Sequence, residues 1–189
     1  GIRSDHECTT AEEALDKVRA GLFVMIREGT SARNLEALLP VVTADTRDRF
    51  CFVSDDLHPQ DILRRGHLDF MVRRAVAAGL EPVTALRLAS LNPARYFGLH
   101  DRGAVAPGYR ADLAVLSDLE TFSVERVYKA GRVAAEQGRA LGFPGTAAVQ
   151  AATGPLRTGP LSPERFSIPD RGGEARVIVD PDPATSRSA

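Results

Sequence analysis

Phe50-Cys51-Phe52-Val53 is an uninterrupted apolar run that ends in Ser54 and two adjacent carboxylates, Asp55 and Asp56. A segment apolar on both faces fits a strand buried on both sides, the usual state of strands in parallel sheets. Adjacent like charges raise each other's pKa and must be solvated, paired or bound to a cation, so a metal or a proton-transfer role is the first function to test. Asp is also a preferred helix cap, and strand-to-helix turns are rich in it, so capping and chemistry both stand open for this pair.

The same pattern recurs upstream. Leu22-Phe23-Val24-Met25-Ile26 is a second apolar run, preceded by Gly21 and ending in Arg27-Glu28-Gly29. Before it, Thr10 with Glu13 is a capping-box signature, and Ala14, Leu15, Val18 and Leu22 continue at helical spacing, predicting a helix over residues 11–20. After it, Thr30 and Ser31 read as the caps of a second helix carrying Leu35, Leu38 and Leu39 and closed by Pro40. Helices alternating with apolar strands predict an α/β fold of parallel βα units, in which chemistry gathers at the C-terminal ends of the strands. Asp5-His6-Glu7, Arg27-Glu28 and Asp55-Asp56 would then face one shared pocket.

Beyond Asp56 the sequence is helical. A short helix is predicted from Pro59 to Arg65, a second from His67 to Ala78 with Leu68, Met71, Val72, Ala75 and Val76 along one face, and a third opened by Pro82 and carrying Val83, Leu86 and Leu91. Asn92-Pro93 ends the third, and one more turn runs to Gly98. Gly103, Pro107 and Gly108 mark turns, and short strands are expected from Asp112 to Leu116, Ser123 to Tyr128 and Arg132 to Ala135, the last two joined at Lys129-Ala130-Gly131 as a hairpin. Residues 138–173, rich in Gly, Pro, Ala, Ser and Thr, read as a weakly ordered linker, Ala175 to Val179 as a strand, and the end from Asp180 as frayed.

Composition narrows the class. At 189 residues, 43% hydrophobic and 26% charged, the chain can bury a core, and a formal charge of -1 with intermingled signs gives no electrostatic case for nucleic acid or an anionic membrane. No apolar run approaches the roughly 20 residues that span a bilayer, and a cytoplasmic protein is expected. Cys8 and Cys51 stand alone, without a CxxC, and are expected as reduced thiols.

His6 lies between Asp5 and Glu7. Imidazole is the commonest ligand of borderline divalent metals and nearby carboxylates can orient it, although a lone histidine in a loop is more often simply solvated. If His6 and Asp55 converge, a metal-bound water has its pKa brought toward neutrality, and a carboxylate beside it can hold the released proton and pass it to a leaving amine. Asp55 comes directly off the strand and suits that role, which leaves Asp56 as the cap. His58, before a proline, reads as a turn residue, and His67 and His100 as capping or surface residues. Arg27 and Glu28 either fix a substrate edge or form a salt bridge at the rim of the sheet.

Asn92-Pro-Ala, Gly98-Leu99 and the run Asp101-Arg-Gly-Ala-Val-Ala-Pro-Gly-Tyr-Arg-Ala-Asp-Leu113 resemble the amidohydrolase superfamily, metal-dependent hydrolases built on a (β/α)8 barrel with a small β-sandwich. Gly1-Ile-Arg-Ser-Asp-His-Glu-Cys-Thr-Thr, Met25-Ile-Arg-Glu-Gly-Thr-Ser-Ala and Val53-Ser-Asp-Asp-Leu-His-Pro are similar, within it, to the bacterial-type adenine deaminases. The resemblance runs from residue 1 to about 136, and more faintly through Leu161-Ser-Pro-Glu and Arg176-Val-Ile. It implies the C-terminal βα units of the barrel over residues 1–100, β-sandwich strands over 101–137, and a partly disordered linker with the start of a further domain over 138–189.

The activity implied is hydrolysis of adenine to hypoxanthine and ammonia by metal-activated water, with a divalent metal, manganese or iron, and zinc as a further candidate. By the same resemblance His6 is the histidine ligand after the sixth barrel strand, Met25 to Gly29 the end of the seventh, and Asp55 the aspartate after the eighth, both metal contact and proton shuttle. Glu7 joins Asp55 as catalytic, with Arg27, Glu28 and Asp56 as substrate-binding. The paired His-x-His after the first strand and the ligands of the fourth and fifth have no counterpart. The chain is therefore expected to be part of a longer protein and to have little activity by itself. Its intact parent would be a homo-oligomer acting on a small purine, with no nucleic-acid or membrane partner. The rival readings are a hydrolase of cyclic amides or N-acyl amino acids, and a non-catalytic fragment serving as a folding partner or scaffold.

Overall fold

A computed structural model describes residues 1–142, 159–167 and 172. The fold is α/β. Its first part alternates strand and helix: β1 (Ser4–Asp5), α1 (Ala11–Arg19), β2 (Phe23–Arg27), α2 (Leu35–Leu38) and β3 (Phe50–Val53). The three strands form one parallel sheet in sequence order. Four helices follow: α3 (Pro59–Arg65), α4 (Leu68–Ala77), α5 (Pro82–Ala89) and α6 (Leu91–Tyr96).

Side chains alternate across a strand, and in-register parallel partners share a face. Val24 pairs with Phe50 and Ile26 with Phe52, and all four are buried. They share one core with Ala14 of α1, Leu35 and Leu38 of α2, Met71, Val72 and Ala75 of α4, and Ala85 and Leu88 of α5. The opposite face carries Met25, Cys51, Arg27 and Val53 in matching pairs. At its N-terminal end Tyr96 of α6 stacks on Phe23, with ring centroids 4.6 Å apart, and its hydroxyl lies 2.7 Å from Ser4 Oγ.

Local sequence signals account for most boundaries. Thr10 Oγ1 accepts from Glu13 N at 3.3 Å, and the Glu13 carboxylate accepts from Thr9 N at 3.1 Å, so the expected capping box is present, closing one residue further out. Pro59 and Pro82 open α3 and α5, where a missing N–H costs nothing. Glu81, a residue seldom used as a cap, nevertheless caps α5 by accepting from Val83 N and Thr84 N at 2.9 and 2.7 Å.

Two expectations are corrected here. Thr30 and Ser31 do not cap α2; its N-cap position is Asn34. Asn92 and Pro93 do not end the preceding helix but sit in the first turn of α6. There Asn92 is buried, and its Nδ2 donates to the carbonyls of Arg47 and Phe50 at 2.7 and 2.8 Å, docking α6 on the start of β3.

The second part is a four-stranded antiparallel sheet, β4 (Leu113–Leu116), β5 (Val124–Lys129), β6 (Arg132–Glu136) and β7 (Arg139–Ala140), in sequence order. β5 and β6 are joined by Ala130 and Gly131, both at positive φ (50° and 76°), the conformation that matches the twist of a two-residue hairpin. β7 was not expected, because residues 138 onward read as linker. The chain reaches this sheet through Gly103, at φ 90°, where a Cβ would lie 2.8 Å from Ala94 Cβ and 2.9 Å from the Ser90 carbonyl; glycine lets the return segment touch α6. Phe122 and Leu116 belong to the core of the first sheet or pack against it. The strand expected from Ala175 to Val179 lies outside the described residues, as does most of the 138–173 stretch. Among the described residues no helix is long and apolar enough to cross a membrane.

Candidate functional site

Parallel register brings the C-terminal ends of β1, β2 and β3 to one edge, with Asp5 beside Val24 and Arg27 beside Val53. Three of the expected residues meet there. Arg27 Nη1 donates to Glu7 Oε2 at 2.6 Å and to Asp55 Oδ2 at 3.4 Å, while Arg27 Nε donates to Asn34 Oδ1 at 2.8 Å. The guanidinium thus spans all three strand ends. Its side chain is only 14% exposed, so its attraction to the two carboxylates is less screened than on an open surface. His6 is half-exposed beside them, with Nε2 3.2 Å from Glu7 Oε1.

Asp55 and Asp56 part company at a strained turn. Asp55 has φ 49°, in the left-handed region that Asp tolerates better than most residues. The turn sends Asp55 toward Arg27 and Asp56 toward the loop after β2. Asp56 Oδ1 accepts from Thr30 N at 3.1 Å, and Oδ2 accepts from Ser31 N and Ser31 Oγ at 3.0 and 2.5 Å. The Ser31 hydroxyl, outweighing partial burial and helped by the Ser31, Ala32 and Thr30 amides, holds the Asp56 carboxyl below its ordinary 3.8. Asp56 therefore caps a loop rather than a helix. The N-cap position of α3 is His58, whose own N–H donates to Thr30 Oγ1 at 2.9 Å, and Thr30 Oγ1 donates in turn to Asp61 at 2.6 Å.

Gly29 makes this approach possible. A Cβ there would collide with Asp56 Oδ1 and lie 2.9 Å from its Cγ. Sequence reading missed Gly29, Asn34 and the true role of Thr30 and Ser31. The one local signal was a glycine directly after a charged strand end.

Glu28 and Asp5 turn away from the meeting point. Glu28 is buried, its Oε1 accepting from Arg74 Nη1 at 2.6 Å and its Oε2 from Leu35 N at 3.4 Å. Burial raises its pKa above the ordinary 4.5 despite Arg74. Asp5 is also partly desolvated, but Lys17 Nζ at 2.9 Å and Glu7 N at 2.6 Å outweigh that and keep it below 3.8. Burial alone pushes the Cys51 thiol up to about 12, which makes it an inert core residue.

The residues from 3 to 134 match the family profile of the amidohydrolase family. This chain belongs to the amidohydrolase family. Among curated amidohydrolases, the adenine deaminase of Desulfatibacillum aliphaticivorans is 48% identical over 94% of this chain and 31% of its own length. That of Syntrophobacter fumaroxidans is 49% identical over the same shares. The adenine deaminase of Sinorhizobium fredii is 52% identical over 70% of this chain and 23% of its own. The chain thus spans about a third of the length of the curated relatives it matches. A solved β-aspartyl dipeptidase from Fervidobacterium islandicum AW-1 superposes with a TM-score of 0.58 at 18% identity, covering 71% of this chain and 38% of that one, a likeness of fold alone.

Amidohydrolases of this kind imply a divalent metal. Among the described residues no group of three or more His, Cys, Asp or Glu side chains could hold one. His6 and Asp55 are two donors of suitable chemistry, short of the set a tightly held cation needs, and Asp55 already faces Arg27. The donors among the described residues do not by themselves fit the ion.

Proposed function

We propose that residues 1–100 supply the sixth, seventh and eighth strand ends of a (β/α)8 barrel, residues 101–140 part of a small β-sandwich that takes in β7, and the stretch beyond it a linker into a further domain. The complete enzyme hydrolyses adenine to hypoxanthine and ammonia. The observation that carries this reading is the meeting of Glu7 and Asp55, from the ends of β1 and β3, in a chain 48% identical to an adenine deaminase over nearly its whole length.

In this reading Asp55 is the proton carrier. Its Oδ2 takes a proton from the attacking water and returns it to the amine nitrogen as that group departs, the work of a carboxylate held at a strand end and still 25% exposed. Glu7 assists at the same edge, and Arg27 holds both carboxylates in place by donating to each. Glu28 and Asp56 act from behind, through the Arg74 pair and the Thr30–Ser31 loop, to keep the β2 and β3 ends in place. His6 and Asp55 would each lend one ligand to manganese or iron, the remainder coming from residues this chain does not contain. The substrate is a small purine, the intact enzyme a cytoplasmic homo-oligomer.

Ammonia release from adenine tests the reading. An intact enzyme of the relatives' length is expected to be active and to lose at least about a thousand-fold in kcat on Asp55→Asn, with its fold retained. The 189-residue chain by itself is expected to release little or no ammonia. An intact enzyme that acts instead on cyclic amides or N-acyl amino acids in a substrate panel would sink the assignment.

A further inference from the structure

One nitrogen of Arg27, Nη1, reaches both Glu7 and Asp55, and the rest of the side chain leaves it little freedom to do otherwise: it is mostly buried and tied through Nε to Asn34, itself buried. A guanidinium stays charged at every pH a protein experiences, and it lies where a cation bridging the two carboxylates would have to lie. The other acids of the strand ends have partners of their own: Asp5 is matched by Lys17, Glu28 by Arg74, and Asp56 by the Thr30 and Ser31 donors. We propose that Arg27 is the resident counter-ion of this edge, holding Glu7 and Asp55 together and keeping a divalent cation off both carboxylates for as long as its guanidinium stays between them. Arg27 supplies the positive charge that the strand ends need when the other ligands are not at hand, and it must withdraw from Asp55 before Asp55 can serve a metal.

This rests on the reading of His6 and Asp55 as metal ligands with the catalytic Glu7 beside them, and it is tested without turnover. Mn2+ alone is titrated into the 189-residue chain by calorimetry, with the free ion followed by its paramagnetic resonance. Arg27→Gln is expected to bind Mn2+ at least about ten-fold more tightly than wild type, because removing a cation a few ångströms away uncovers two carboxylates. Arg27→Lys stays close to wild type, and adding Asp55→Asn to Arg27→Gln abolishes the gain. Should Arg27→Gln not fold, the Arg27 Nε–H resonance of the otherwise native chain carries the test, and is expected to shift on Asp55→Asn and on Glu7→Gln. Equal Mn2+ affinities with and without Arg27, or an Arg27 resonance unmoved by both neutralisations, would overturn the inference. Either result leaves the deaminase reading to stand or fall on the ammonia assay with the intact enzyme.

Discussion

At Asp55 the main chain passes through φ 49°, and two neighbouring carboxylates that would repel each other side by side are turned onto separate partners. The turn is held by Asp56, whose three hydrogen bonds come from Thr30 and Ser31. Asp56→Ala should therefore cost about 1 kcal/mol, the low end for bonds to a charged acceptor because the group is partly solvated, and should loosen Asp55 from Arg27. Gly29→Ala reaches the same end by steric means, since its methyl takes the space of Asp56 Oδ1. Thermal melts of the two single variants and the double should show that their costs do not add. The Asp56 carboxyl is held below 3.8 in the folded state, so its contribution is complete above that value and lost as the pH falls through the lower folded one. The gap in melting temperature between wild type and Asp56→Asn should narrow accordingly under acid.

Among elements, two buried polar ties set where the helices stand against the sheet. Glu28 at the end of β2 reaches Arg74 of α4, and the carboxylate is almost wholly buried. Arg74→Ala leaves that charge unpaired and should cost about 3 kcal/mol. Because the Glu28 pKa is raised in the folded state, its contribution is complete below the ordinary 4.5 and falls as the pH rises through the higher folded value. Removing Arg74 raises that pKa further, so the variant's deficit in melting temperature should widen on going from acid toward neutral pH. The second tie is Asn92, which seats α6 on the Arg47 and Phe50 carbonyls. Asn92→Ala removes both bonds, the one to the Phe50 carbonyl buried, while the Arg47 carbonyl keeps the Phe50 N–H, and should cost about 1–3 kcal/mol, read by urea unfolding. The Asn-Pro-Ala motif that signals the family thus works at the N-terminal end of β3, away from the charged edge, where its task is to hold the fold.

At the scale of the whole molecule, the chain carries three adjacent strand ends of an amidohydrolase and about a third of the length of its curated relatives. Element order was legible from residue pattern alone. Apolar runs, capping residues and helix-opening prolines act over a few positions, so β2, β3, α1, α3 and α5 lie close to where local rules put them. Thr30 and Ser31 show where such rules stop. They have the chemistry of caps, but their donors find a better acceptor in Asp56, 26 and 25 residues away, and the helix starts later at Asn34. Glu28 shows the same limit, since its place at a charged strand end resembles that of Arg27 while its carboxylate is drawn to an arginine 46 residues on. Asn92 reads locally as a helix stop, yet it is a buried clamp.

By itself, then, the sequence determined where most of the strands and helices lie and that the ends of the parallel strands share one edge, because period and capping are local and parallel strands all point the same way. Only the tertiary structure decided which carboxylate meets which cation there. Arg27 could have paired with its neighbour Glu28, and Asp56 could have capped α3. Instead Arg27 gathers Glu7 and Asp55, and Asp56 closes on Ser31. Long charged side chains choose partners by distance and burial after the loops have packed, and neither quantity is written in the spacing of residues along the chain.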